Sequence, residues 1–220
     1  LWSRHYKVTF AEIEHTIVFK SEDHGLAFAY PVGAAEDVKR VLEFLMEYSA
    51  KKEAPFVLYN VTEDNFRQLE EWYPGQYQIE YNRDIADYVY ESEKLATLSG
   101  KKLHAKRNHI NKFKSTFDDW CYEPITKENV EECFQMALRW RNESGCEEDV
   151  EKNAEMCVTL NSLRLFEELE LKGGLLRVNG EIVAFTMGEP ISEDTFVVHI
   201  EKAFADVQLS LIHISEPTRH

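Results

Sequence analysis

The chain has 220 residues, 44% of them hydrophobic, and its 40 acidic residues against 25 basic ones give a formal net charge of −15. This hydrophobic content, with 12% aromatic residues, is enough for a sizeable core in one or two domains and excludes a disordered chain. A uniformly acidic surface repels nucleic acids and anionic lipids, which excludes a general nucleic-acid coat protein. An anionic partner would therefore have to bind at a local basic patch.

The first part of the chain, residues 1–82, predicts one α+β unit. Alternating or apolar runs predict strands, and apolar residues at helical spacing predict helices. The predicted elements are three antiparallel strands at 6–13, 15–21 and 25–31, a helix at 34–53, a strand at 55–61 and a short helix capped by Thr62. Pro74 and Gly75 then predict a turn.

A second unit is predicted over residues 83–208. Its predicted elements are a strand at 86–91, a helix from Ser92 to Leu98, a basic helix, a strand at 120–126, helices at 129–141 and 148–171, and a meander at 175–178, 181–189 and 195–203. Gly173 and Gly174 predict the end of the long helix. The pair Asn179-Gly180 predicts a two-residue hairpin, because this dipeptide suits a turn with positive φ at both positions.

The last residues, 209–220, interrupt the pattern. LSLIHISEPTR matches the in-frame translation of a transposase-type sequencing adapter. We therefore expect residues 209–220 to be an artefact, the authentic protein sequence to end near Gln208, and the chain to be a fragment at both ends. The alternative is a genuine C-terminal strand, LSLIHI.

Cysteine spacing and hydropathy indicate the compartment. Cys121, Cys133, Cys146 and Cys157 include no C-x-x-C pair, so neither a zinc knuckle nor a disulfide framework is expected, and we expect no metal site. No run approaches the roughly 18 apolar residues that span a bilayer. We also expect no signal peptide, because the given sequence does not open with a charged region followed by an apolar one. We expect reduced cysteines and a cytoplasmic location.

One segment is strongly basic. Residues 100–115, GKKLHAKRNHINKFKS, contain six Lys or Arg and two His, and no Asp or Glu occurs from Lys94 to Phe117. Without those six residues the chain has 19 basic against 40 acidic residues, a charge of −21. An exposed helix ordinarily mixes charge signs for i,i+4 pairing, so this composition indicates a local site for an anion.

As a helix from Lys101 to Phe117, the segment has large apolar residues within one arc of about 80°. These residues are Leu103, Ile110, Phe113 and Phe117. Lys106 falls inside that arc. An ammonium there needs a route to water or a fixed anion. Two interpretations stay open: a solvated face with Lys106 extended to water, or a cradle for the phosphates of RNA or a cofactor.

Residues 195–203, TFVVHIEKA, hold a possible acid-base pair. Period two predicts Phe196, Val198 and Ile200 on one strand face, and Val197, His199 and Glu201 on the other. His199 and Glu201 could then act as general base and orienting partner, or simply form a polar outer face. Asp84 and Asp87 are weaker candidates that we interpret as structural.

Three motifs resemble one known family: RDIADYVYESEKLATLSGKKLHAKRNHINKF, GGLLRVNGEIVAFTMGE and HIEKA. They resemble a bacterial family of unknown function related to the C-terminal domain of phosphatidylglycerol lysyltransferase. The resemblance implies an α+β fold of tandem Gcn5-related acyltransferase-like domains, the second of them truncated. It also implies a transferase whose donor is an aminoacyl-tRNA, with an acyl-CoA as the alternative donor.

The resulting hypothesis is aminoacyl or acyl transfer to an amine or hydroxyl acceptor. Glu201 or His199 would accept the proton of the acceptor. The expected donor-binding residues are Lys102, His104, Lys106, Arg107 and Asn108. Two alternatives remain: a non-catalytic module that binds tRNA or other RNA on the same fold, and a CoA-dependent N-acetyltransferase in which the basic helix is only a solvated surface.

Overall fold

The structure, a computed structural model, describes residues 2–3, 5–83, 86–146 and 149–204. The chain divides into two compact units, Leu1–Ile85 and Ala86–His220. Asp84 and residues 209–220 lie outside the described residues, so the interpretations of both stay predictions. None of the described helices is long and apolar enough to cross a membrane.

The first unit is a four-stranded sheet with two helices. Its elements are β1 (Val8–Ile13), β2 (Thr16–Ser21), β3 (Ala27–Ala29), α1 (Ala35–Lys51), β4 (Leu58–Tyr59) and α2 (Glu63–Trp72). The strand order is β1-β2-β3-β4. The first three strands are antiparallel, as predicted, and β4 pairs with β3 in parallel.

The core of this unit forms between α1 and the sheet. The helix buries Val38, Val41, Leu42 and Leu45, which recur at the spacing of one helical face. Thr62 caps α2 in a capping box with Asn65, so this predicted helix start is confirmed.

The second unit has the same mixture of helices and sheet in a different order. Its elements are α3 (Ser92–Thr97), a 3-10 turn (Lys101–Leu103), α4 (His104–Thr116), β5 (Trp120–Pro124), α5 (Val130–Glu143), α6 (Val150–Arg164), β6 (Lys172–Val178), β7 (Glu181–Pro190) and β8 (Phe196–Ala203). The sheet is antiparallel throughout, in the order β5-β6-β7-β8. Asn179 and Gly180 both have positive φ, 51° and 81°, as the predicted hairpin requires.

Helices cover both faces of the second sheet. On one face Lys202 of β8 is buried, pairs with Glu155 of α6 and lies 4.5 Å from the ring of Trp140 on α5. On the other face Phe113 of α4 packs in a cluster with Val178. The sheet is therefore a central layer, and residues of alternating parity along β6 to β8 face different helices.

Two predictions for this unit are wrong. The helix predicted to continue to residue 171 ends at Arg164, and Gly173 and Gly174 lie inside β6. Glycine is needed at position 173 because a Cβ there would lie 2.4 Å from the carbonyl oxygen of Thr186 on the neighbouring strand. Residues 86–91 form no strand, since they have no ladder partner among the described residues, and Val89 is 92% exposed.

Candidate functional site

The basic helix is held on the sheet by the apolar arc that its sequence predicts. Phe113 is 5% exposed and packs against Val178 and Val183, with Phe117 beside it at a ring-centre distance of 5.1 Å. Leu103, Lys106 and Ile110 are half-buried along the same stripe, and the remaining basic residues of α4 other than Arg107 are exposed. The predicted helix is confirmed, with its first turn in 3-10 geometry.

Lys106 meets Glu201 and Tyr90. Its ammonium nitrogen lies 5.9 Å from the centre of the Tyr90 ring, at cation-π distance. Burial lowers the pKa of Lys106, and the attraction of the Glu201 carboxylate partly offsets that shift. Burial also raises the pKa of Tyr90, with smaller contributions from Tyr88 and Glu201. The fold thus brings together one residue from the basic helix and one from the predicted acid-base pair.

A basic depression opens at the start of α4. It has a volume of about 380 Å³ and is lined by Gly100, Lys101, His104 and Arg107. Arg107 donates from Nη1 to the backbone oxygens of Leu98 and, at 2.9 Å, of Gly100. The side chain of Arg107 therefore shapes this depression by fixing the segment before α4, in addition to supplying positive charge.

The other predicted donor-binding residues lie around the same helix start. Lys102 is exposed in the 3-10 turn. Asn108 is also exposed, and its amide nitrogen lies 3.3 Å from Nε2 of His104. Among the predicted donor-binding residues, His104 and Arg107 thus line the depression, Asn108 contacts His104, Lys102 is their neighbour in the 3-10 turn, and Lys106 interacts with Glu201.

A β-bulge separates the two residues of the predicted acid-base pair. Val198 pairs with Gly188 but Ile200 pairs with Met187, so His199 is an extra residue in β8. The predicted alternation is therefore wrong: Val198 is 51% exposed and Ile200 is 2% exposed, on opposite faces. Paired residues share a face, so beyond the bulge Glu201 lies with Thr186 and no longer on the face of Val197.

His199 has its own carboxylate partner. Nε2 of His199 lies 2.8 Å from a carboxylate oxygen of Glu189 near the end of β7. This contact orients the imidazole toward Glu189, whereas the sequence had predicted Glu201 as the partner of His199. Sequence reasoning missed Glu189 because the contact depends on the bulge, and it missed Tyr90 because that residue lies in a segment predicted as a strand.

The described residues contain no cluster of metal ligands. Among the described residues, no group of three or more His, Cys, Asp or Glu side chains is placed to hold a metal ion. Asp87, the other described candidate, lies in the irregular segment before α3 and is exposed. The groups that the fold brings together beside α4 are the Glu201 carboxylate, the Lys106 ammonium and the Tyr90 phenol.

A family comparison covers nearly the whole chain. Residues 1–211 match the model of the family described as phosphatidylglycerol lysyltransferase, C-terminal. An uncharacterised protein of Mycoplasmoides gallisepticum is 25% identical over 138 residues, which are 61% of this chain and 44% of that protein. The chain thus spans less than half the length of that curated relative.

Two solved structures share the fold. A conserved protein of unknown function from Bacteroides thetaiotaomicron VPI-5482 is 39% identical, with a TM-score of 0.85 over 94% of this chain and 70% of the other. The C-terminal DUF2156 domain of an Agrobacterium fabrum protein, provisionally named as a lysylphosphatidylglycerol synthetase, is 14% identical. Its TM-score is 0.53 over 92% of this chain and 62% of the other, a likeness of fold alone.

Proposed function

From the premise that the chain belongs to the phosphatidylglycerol lysyltransferase C-terminal family, we propose that it transfers an aminoacyl or acyl group from an activated donor to an amine or hydroxyl acceptor. The observation that carries this proposal is the meeting of Lys106, Tyr90 and Glu201 on one face of the second sheet. A half-buried carboxylate can accept a proton from an attacking group, and a neighbouring cation keeps that carboxylate ionised until it does so. The preferred donor is an aminoacyl-tRNA, the donor that the resemblance implies.

The finer fold proposal is that each unit is a Gcn5-related acyltransferase-like domain. A mixed sheet supports it in the first unit. There, three antiparallel strands are followed by a helix, and the next strand, β4, pairs with β3 in parallel. An antiparallel meander with a bulge in β8 supports it in the second unit. In this proposal the reaction belongs to the second unit.

Each group has a proposed role. Glu201 takes the proton of the acceptor amine or hydroxyl as that group attacks the donor carbonyl. The depression lined by Lys101, His104 and Arg107, with Lys102 near it, binds donor phosphates, because its lysine and arginine charges lie in a segment without a competing carboxylate. Lys106 holds the Glu201 carboxylate in place through their attraction.

The proposed test measures the fate of the donor ester. The protein is incubated with bulk tRNA charged with radiolabelled amino acids, together with phosphatidylglycerol vesicles as hydroxyl acceptor or a peptide digest as amine acceptor. We expect label to move to one acceptor faster than spontaneous hydrolysis releases it. Acetyl-CoA replaces the charged tRNA in a parallel reaction, and acetylation there in place of aminoacyl transfer would favour the CoA-dependent alternative.

The matched variants are Glu201→Gln and Glu193→Gln. Loss of a general base typically lowers the rate about 10²- to 10⁴-fold, so we expect Glu201→Gln to lose transfer. Glu193 lies exposed in the turn between β7 and β8, so Glu193→Gln should transfer normally. Equal rates in the two variants would contradict the role of Glu201.

A second candidate is RNA binding without catalysis, and the exposed cations at the start of α4 favour it. Binding that neutralises phosphates releases counterions and weakens steeply with salt. The candidate predicts salt-dependent binding of uncharged tRNA that weakens in a Lys102→Gln variant, with no transfer from charged tRNA. Transfer by the unaltered protein would exclude it.

A further inference from the structure

Thr186 lies at the centre of the face that carries Glu201. On β7 it pairs with Glu201 of β8 on one side and with Gly174 of β6 on the other. Paired residues of antiparallel strands present their side chains on the same face. Lys106 of the basic helix interacts with Glu201, so Thr186 lies on the sheet face that this helix faces.

The hydroxyl of Thr186 is buried and has no hydrogen-bond partner among the residues that the structure describes. A buried hydroxyl without a partner costs stability, and such groups in folded proteins call for an explanation in terms of a ligand, a water or a catalytic role. A valine of the same shape would avoid that cost. The hydroxyl of Thr186, on the same face as Glu201, can therefore donate to a group that arrives from outside the chain.

Glycines and exposed rings flank this position. A Cβ on Gly174 would lie 2.4 Å from a ring carbon of Tyr122, and one on Gly188 would lie 2.9 Å from a ring carbon of Phe196. These rings thus lie close against the backbone of two glycines next to Thr186, one across the strand pair and one two residues along β7, and both rings are exposed, at 64% and 49%. The face beside Thr186 is accordingly bordered by aromatic rings that a ligand can reach.

We propose that the Thr186 hydroxyl donates a hydrogen bond to the carbonyl oxygen of the donor ester during transfer, an inference that rests on the proposed function. The acceptor nitrogen or oxygen forms a bond to the carbonyl carbon, and negative charge collects on the carbonyl oxygen. The ester C–O bond then breaks. The proton removed from the acceptor by Glu201 passes to the departing ribose oxygen, so Glu201 is regenerated and the proton count balances.

The test compares Thr186→Val with Thr186→Ser in the charged-tRNA assay. Loss of one hydrogen bond to a developing oxyanion typically lowers kcat about 10²- to 10³-fold. We expect Thr186→Val to show that loss with little change in KM, because the bond strengthens as the charge develops. Thr186→Ser should recover most of the rate, because it keeps the hydroxyl.

Thermal unfolding separates this role from a structural one. Thr186→Val should be at least as stable as the unaltered protein, since it removes an unpaired buried hydroxyl. The matched control is Thr159→Val, since the Thr159 hydroxyl is also buried but donates to the backbone oxygen of Glu155 at 2.9 Å. This control should lower the melting temperature and leave kcat unchanged.

The outcomes distinguish this inference from the function on which it rests. If the unaltered protein transfers and Thr186→Val transfers equally well, the inference is wrong and the proposed function stands. A lower melting temperature for Thr186→Val would likewise overturn it, because the hydroxyl would then serve folding. If the unaltered protein transfers nothing from any donor, the proposed function fails and the inference fails with it.

Discussion

The attachment of α4 to the sheet should depend mainly on Phe113. This side chain is 5% exposed and contacts Val178 and Val183, and its ring lies 5.1 Å and 5.8 Å from those of Phe117 and Trp120. Truncation of a buried Phe to Ala costs about 3–5 kcal/mol. Because Phe117 and Trp120 are only partly buried and can move into the space, we expect the lower end, about 3 kcal/mol, for Phe113→Ala.

Urea denaturation and hydrogen exchange would measure this effect. A loss of about 3 kcal/mol lowers the equilibrium constant for local closure roughly 150-fold, so amides of α4 should exchange faster by a similar factor. The matched control is Lys112→Ala on the exposed side of the same helix, where we expect a change within about 0.5 kcal/mol. A loss below about 1 kcal/mol in Phe113→Ala would refute the reasoning that this side chain anchors the helix.

Two further predictions concern the second sheet. Hydrogen bonds from Arg177 lower the pKa values of Glu123 and Glu132, so the folded state binds fewer protons than the unfolded state. The stability that these ion pairs contribute is therefore present at neutral pH and is lost as the pH falls below about 4, the ordinary pKa range of Glu. The stability difference between the unaltered protein and Arg177→Met, from urea midpoints, should therefore shrink from pH 7 to pH 3; a constant difference would contradict this. Gly188→Ala should lower the free energy of unfolding by about 1–3 kcal/mol, because the added Cβ would lie 1.9 Å from a backbone oxygen of β8. Gly174→Ala should cost less, because the exposed ring of Tyr122 that its Cβ would meet can move aside.

Features that follow a regular period were predictable from the sequence. The apolar arc of the basic segment predicted which side of α4 is buried, and Phe113 and Lys106 lie where the projection places them. The hairpin at Asn179 and Gly180 was equally predictable, because the turn needs positive φ at both residues and few dipeptides supply it. In both cases the signal lies within one continuous segment of the chain.

Features that depend on a partner strand were not predictable. Nothing in the residues of β8 marks His199 as an extra residue, because a bulge is defined by the pairing with β7. The same limit explains the error at Gly173: glycine after a helical pattern suggests a helix end, but here its small size admits the backbone of the neighbouring strand. Tyr90 could not be placed beside Lys106 without knowledge of the tertiary contacts.

The position of Lys106 changes the interpretation of the basic segment. A lysine in an apolar arc was expected to need either a route to water or a fixed anion, and the anion considered was a phosphate of RNA or of a cofactor. The fold supplies the Glu201 carboxylate near this ammonium, so part of the charge of Lys106 is matched within the chain. Phosphate binding is then better served by Lys101, His104 and Arg107, which line the depression at the start of α4. We infer that the segment has two tasks, with binding of the donor at its first turn and orientation of the proton acceptor one turn later.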